Sequence, residues 1–145
     1  MNRSATAIWN GSAAQGSGTL DLQSGAFQQQ PYSFKARFQD ETGKSGTNPE
    51  ELIAAAHAGC FAMALSHMLS ENGTPPEKLD VKAVVTYGPA AGGGFEITES
   101  ALKLVGTVPS LDAATFTSIA EKAKAGCPVS KALGAIKVSL DASLA

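Results

Sequence analysis

Two cysteines carry most of the chemistry this sequence offers. Cys60 stands in the run AHAGCFAMAL and Cys127 in KAGCPVSKAL. A free thiol ionises near pH 8.5, so only about 3% is thiolate at neutral pH, and burial among alanines and methionines lowers that share further. Cys60 therefore needs a cation before it can act as a nucleophile. The chain has only two arginines, Arg3 and Arg37, and Arg37 precedes the Cys60 segment closely enough for a loop to fold it back. Arginine stays charged throughout, and Glu50 can hold its guanidinium by a bidentate pair. Lowering a thiol pKa by three units raises the thiolate fraction roughly thirtyfold at neutral pH. That suits attack on an O–O bond: the thiolate becomes a sulfenic acid, which a second thiol converts to a disulfide. Cys127 is the only second thiol. It opens a short helical turn, where free N–H groups favour a thiolate and Pro128 needs no donor. A Cys60–Cys127 bridge would close a loop of about 68 residues, worth on the order of 4 kcal/mol in the chain-entropy description.

Other arrangements share these residues. His57 lies one helical turn before Cys60 and His67 two turns after it, on roughly the same face. A Cys–His nucleophile for acyl transfer or hydrolysis can be drawn from them. So can a Cys/His metal site, although the spacing matches no common zinc pattern. A third alternative is a binding or redox-sensing module in which Cys60 oxidises once without turnover. Phe61 and Met63 can wall a cleft for an alkyl chain, or serve simply as core packing. The run Gly92-Gly93-Gly94 lacks the Lys-Ser/Thr and the helix of a phosphate loop.

The elements that must position these groups are legible from periodicity and turn chemistry. From Gly46 to Gly73 the chain reads GTNPEELIAAAHAGCFAMALSHMLSENG. Asn48 caps, Pro49 suits the first turn, Glu50 and Glu51 favour a helix N-terminus, and Asn72-Gly73 before Pro75-Pro76 supplies the stop. The expected helix is roughly 34 Å long and apolar on almost every side, with Cys60 near its middle. Before it, residues 4–10 and 17–22 read as a hairpin. A third strand alternates Tyr32, Phe34, Ala36 and Phe38 against Ser33, Lys35 and Arg37, placing Arg37 on the polar face. After it, residues 80–88 form a strand. Residues 95–109 are extended, with a change of phase that suggests a bulge near Ser100. Asp112 caps an amphipathic helix whose stripe is Phe116, Ile119, Ala120 and Ala123. A short helix follows Cys127-Pro128 as far as Leu133, and a last strand begins at Ile136. The fold class is α+β, with mostly antiparallel sheets around a long buried central helix, in one domain spanning residues 1–145. One sheet covers only part of such a helix, so a second copy is expected to bury the rest in an intertwined homodimer.

Composition bounds the function. The chain has 145 residues, is 43% hydrophobic and 17% charged, and carries a net charge of −2, which is ordinary for a globular domain. Lys and Arg never cluster, so neither nucleic acid nor an anionic membrane is an expected partner. MNRSATAIW lacks an apolar signal core, and the central helix is interrupted by His and Gly, so the expected location is the cytoplasm. Two cysteines do not make a disulfide scaffold.

The segments NPEELIAAAHAGCFAMAL at 48–65, KAKAGCPVSKAL at 122–133 and QQPYSFKARF at 29–38 resemble the osmotically inducible protein C family, close relatives of the organic hydroperoxide resistance proteins. The likeness runs over nearly the whole chain. Arg37 together with His57 in HAGC is similar to the osmotically inducible branch. Gly59 stands where alanine is common, and His67 lies outside the motif. The resemblance implies a cysteine-based peroxidase acting on organic hydroperoxides, and less well on hydrogen peroxide. It would work as a cytoplasmic homodimer with two composite sites, with no cofactor or metal. It further implies Cys60 as the peroxidatic residue, Cys127 as the resolving one, Arg37 as activator of the thiolate and Glu50 as its orienting partner. The reductant in such proteins is often a dithiol such as a lipoyl group.

Overall fold

Turn residues and short alternating runs shape the first part of the chain into three strands: β1 (Ala5–Asn10), β2 (Ser17–Leu22) and β3 (Gln30–Ser33). They pair antiparallel in the order β1-β2-β3, with Gly18 of β2 opposite both Trp9 of β1 and Tyr32 of β3. A side chain at Gly18 would collide with the Ile8 carbonyl and reach within 2.9 Å of the Tyr32 ring. With glycine there, the Trp9 and Tyr32 rings meet over β2 at a centroid distance of 5.2 Å.

The computed structural model describes residues 1–145 and contains two compact units, Met1–Leu52 and Ile53–Ala145. The third strand of the first unit is shorter than its alternation predicts. It stops at Ser33, whose Oγ accepts the Ala36 N–H at 3.0 Å and caps the short helix α1 (Phe34–Phe38). The physical reason is local capping: a serine before three residues free to coil offers the backbone a helix start that strand periodicity does not register. Arg37 thus lies in the last turn of a helix, not on the polar face of a strand.

Helix α2 (Pro49–Glu71) starts where its caps predict. Asn48 Oδ1 accepts the Glu51 N–H at 2.8 Å, and Thr47 Oγ1 donates to the Glu51 carboxylate at 2.8 Å. Gly73, at a φ of 80°, supplies the left-handed residue just past the end. In the second unit one stripe of α2, His57, Phe61, Leu65 and Leu69, is fully buried. Its apolar members share a core with Leu102, Leu104 and Phe116. Each fully buried Phe or Leu contributes on the order of 2 kcal/mol. Elsewhere on the helix Met63 is 71% exposed. Length and hydropathy alone would also suit this helix to a bilayer, but its His57–Leu69 stripe packs in the protein core.

The second unit has its own three-stranded sheet of β4 (Lys78–Pro89), β5 (Phe95–Thr107) and β6 (Lys137–Leu144), in the order β4-β5-β6. β4 and β5 form an antiparallel hairpin whose register shifts at Thr86/Tyr87, leaving Thr98 as the extra residue, two positions from Ser100. β6 runs parallel to β5, the one departure from antiparallel pairing. Helix α3 (Ala113–Gly126) is capped by Asp112 and buries Phe116, Ile119, Ala120 and Ala123. Phe116 packs closely on β5 because residue 106 is glycine; a Cβ there would come within 2.5 Å of the ring. Helix α4 (Pro128–Ala132) follows directly.

Candidate active site

The two thiols come together within the second unit. α2 carries Cys60 and the α3–α4 junction carries Cys127, and their Sγ atoms lie 3.1 Å apart across 67 residues of chain. Cys127 ends one helix and begins the next. Its N–H donates to the Ala123 carbonyl at 2.8 Å, while its Sγ receives the Ser130 N–H at 3.5 Å. Pro128 is the first residue of α4, where its missing N–H costs nothing. Cys127 is fully buried and Cys60 partly so.

Their surroundings push the two thiols in opposite directions. Burial raises the Cys60 thiol above its ordinary value; contact with Cys127 adds to the rise, and a backbone hydrogen bond from Val129 opposes it. None of these groups is a cation. For Cys127 burial acts upward too, but the Ser130 N–H, the Cys60 thiol, the Ser130 hydroxyl and the Val129 N–H outweigh it and hold the thiol below its ordinary value.

His57 is fully buried one turn before Cys60, with both ring nitrogens taken: Nδ1 meets Ser100 Oγ on β5 at 2.7 Å, and Nε2 meets Ser130 Oγ on α4 at 2.8 Å. Burial lowers its pKa, so the ring is neutral at pH 7. A Cys–His dyad is therefore not assembled here, because the imidazole is engaged by two serines. His67 is exposed, with Nε2 3.5 Å from Glu71. Ser100 and Ser130 were not legible as partners of His57. Their contacts join positions 43 and 73 residues away, a separation that no local spacing signals.

Arg37 and Glu50 meet within the first unit. Arg37 Nη2 lies 2.6 Å from Glu50 Oε1, and Nε lies 3.1 Å from Oε2, giving the bidentate pair expected from the sequence. The guanidinium also lies 4.9 Å from the centre of the Phe38 ring. Arg37 forms part of the wall of a cavity of about 290 Å³ that is otherwise mainly apolar, with Trp9, Tyr32, Phe34, Phe38 and Pro49 around it. These aromatics, rather than Phe61 and Met63, supply an apolar recess. Phe61 is a core residue with no exposed surface, and Met63 faces solvent. The signal was present in QQPYSFKARF, where three aromatics flank Arg37.

The sequence profile of the family described as OsmC-like protein matches residues 41–141. The chain is 49% identical to peroxiredoxin OsmC of Escherichia coli (strain K12), over 99% of this chain and 97% of that protein. It is 34% identical to organic hydroperoxide resistance protein OhrB of Bacillus subtilis (strain 168), over 68% of this chain and 71% of the relative. Among solved structures, it resembles the crystal structure of Bacillus subtilis OhrB with a TM-score of 0.77 at 27% identity, covering 99% of this chain and 98% of that one. An organic hydroperoxide resistance protein from Elizabethkingia anophelis is similar, with a TM-score of 0.79 at 25% identity, over 100% of this chain and 97% of the other.

Proposed function

The chain belongs to the OsmC-like protein family, and from that footing we propose that it is a cysteine-based peroxidase that reduces organic hydroperoxides to alcohols and, more weakly, hydrogen peroxide to water. The observation that carries the mechanism is the 3.1 Å approach of Cys60 and Cys127, because a sulfenic acid formed on either thiol has its condensation partner already in reach. Cys60, the more accessible of the two, is the peroxidatic residue. Its thiolate attacks the distal peroxide oxygen, the O–O bond breaks, and the alkoxide leaves as alcohol after taking a proton. Cys127 then attacks the Cys60 sulfur, forming the S–S bond while the S–O bond breaks and hydroxide departs to become water. A dithiol reductant, of lipoyl type, reopens the bridge by two exchange steps.

Arg37 supplies the cation that Cys60 lacks among its own neighbours, and Glu50 fixes the guanidinium by two hydrogen bonds. The aromatic recess beside Arg37 suits the alkyl end of an organic hydroperoxide, which favours such substrates over hydrogen peroxide. The chain acts as one catalytic domain in a cytoplasmic homodimer. Support for the dimer comes from α2, which is apolar around most of its girth yet leaves residues such as Met63 uncovered in a single copy.

Single-turnover chemistry on cysteine variants tests the assignment. Cys127→Ser is expected to consume one equivalent of tert-butyl hydroperoxide and then to accumulate overoxidised Cys60, whereas Cys60→Ser consumes none. Repeated turnover by Cys127→Ser with a dithiol, without overoxidation, would remove Cys127 from the cycle.

A further inference from the structure

The buried polar chain Ser100–His57–Ser130 lies beside the two thiols but does no chemistry in the cycle described above. Its hydrogen bonds, 2.7 Å and 2.8 Å, join three elements: β5, α2 and α4. Ser100, His57 and Ser130 are 0%, 0% and 8% exposed, and none of their side-chain polar atoms is left without a partner. A neutral imidazole and two hydroxyls buried in a small apolar core are kept only where each is satisfied, and such a set fixes the elements it joins more narrowly than apolar contacts do.

The far end of the chain is the second thiol. Ser130 gives its N–H to Cys127 Sγ at 3.5 Å while its hydroxyl oxygen faces His57 Nε2. Ser130 thus joins the two groups, its hydroxyl meeting the imidazole and its N–H meeting the sulfur. In the neutral imidazole one ring nitrogen donates and the other accepts, so one of the two serine hydroxyls accepts from the ring and the other donates to it. Both ring nitrogens are paired in either tautomer, and the link on to the sulfur is the Ser130 N–H. The same imidazole sits one turn before Cys60 on α2, so one residue ties the helix of the first thiol to the short helix behind the second.

We propose that His57 is a positioning residue for the resolution step: acting through Ser130, it holds the Cys127 sulfur on the line of attack toward the Cys60 sulfenic acid. This rests on the assignment of Cys60 as peroxidatic and Cys127 as resolving. The step served is the one in which the S–S bond forms as the Cys60 S–O bond breaks and hydroxide leaves, the oxidising equivalent having come from the hydroperoxide. Peroxide attack does not involve Cys127, so loss of the chain slows the second step relative to the first.

The test is a rapid-mixing experiment on fully reduced protein with one equivalent of cumene hydroperoxide, comparing wild type with Ser130→Ala, Ser130→Thr and His57→Gln. Peroxide loss reports attack. Disulfide formation, followed by acid quench and thiol counting, reports resolution, and dimedone trapping reports Cys60 sulfenic acid. In Ser130→Ala and His57→Gln the ratio of resolution to attack is expected to fall at least tenfold, with a dimedone adduct on Cys60. Ser130→Thr, which keeps the hydroxyl, recovers most of the ratio. Folded variants that resolve as fast as wild type overturn the proposal. So does an equal slowing of both steps that threonine fails to rescue, since that marks a merely structural role. Failure of the underlying assignment looks different: wild type itself then consumes peroxide without forming a Cys60–Cys127 disulfide.

Discussion

The Sγ atoms of Cys60 and Cys127 face each other at 3.1 Å, although 67 residues separate them in sequence. Covalent closure needs a further approach of about 1 Å, within the freedom of two side-chain rotations. A disulfide here would remove loop entropy from the unfolded chain, worth on the order of 4 kcal/mol. The oxidised protein is accordingly expected to melt on the order of 10 °C above the reduced protein. Calorimetry on protein treated with one equivalent of peroxide, with and without subsequent dithiol, measures this; equal melting temperatures would contradict it.

Arg37 gives a prediction in pH. Burial holds the Cys60 thiol above its ordinary value, and the attack rate follows the thiolate fraction. On the role proposed for Arg37, removing its charge raises the Cys60 pKa, so the pH–rate curve of Arg37→Met is expected to move to higher pH. The rate at pH 7 falls roughly ten- to hundredfold, one decade per pKa unit. Arg37→Lys keeps a charge but loses the two-pronged contact with Glu50, and is expected to recover only part of the rate. An unshifted curve in Arg37→Met would take Arg37 out of the mechanism.

His57 gives a prediction in stability. Burial lowers its pKa in the folded state, whereas in the unfolded chain the ring protonates near pH 6.5. Between those two values the unfolded state binds more protons, so stability falls as the pH falls. The contribution is complete above about pH 6.5 and is lost as the pH drops through the folded-state value. Urea midpoints measured from pH 8 down to pH 5 should show this decline in wild type and a shallower one in His57→Gln. Parallel profiles would contradict a buried neutral imidazole.

Gly106 and Phe116 give a packing prediction. A methyl group at position 106 would meet the Phe116 ring at 2.5 Å, and that ring has no exposed surface to move into. Gly106→Ala is expected to cost about 1–3 kcal/mol, read from the urea midpoint, and Phe116→Leu in the same chain should return part of the loss. A neutral Gly106→Ala would show that the ring can shift.

Much of this architecture was legible because its signals are local. Asn48 and Asp112 mark helix starts, Gly73 marks a stop, and the stripe Phe116, Ile119, Ala120 and Ala123 is buried as its spacing requires. The Arg37–Glu50 pair was also legible, since only two arginines exist and 13 residues separate the partners. What failed locally was residues 34–38, where aromatic alternation imitates a strand but Ser33 caps a helix. The Ser100–His57–Ser130 chain had no signal at all, because serine is common and its partners become neighbours only through the packing of β5, α2 and α4. The parallel placement of β6 beside β5 is likewise a matter of topology that no alternation pattern carries.

Steady-state consumption of tert-butyl hydroperoxide with an excess of dithiol, compared between wild type and Cys60→Ser, tests the central claim most directly. The account predicts sustained turnover by wild type, faster than with hydrogen peroxide, and none by Cys60→Ser. Continued turnover by a folded Cys60→Ser protein, or none by reduced wild type with either peroxide, would contradict it.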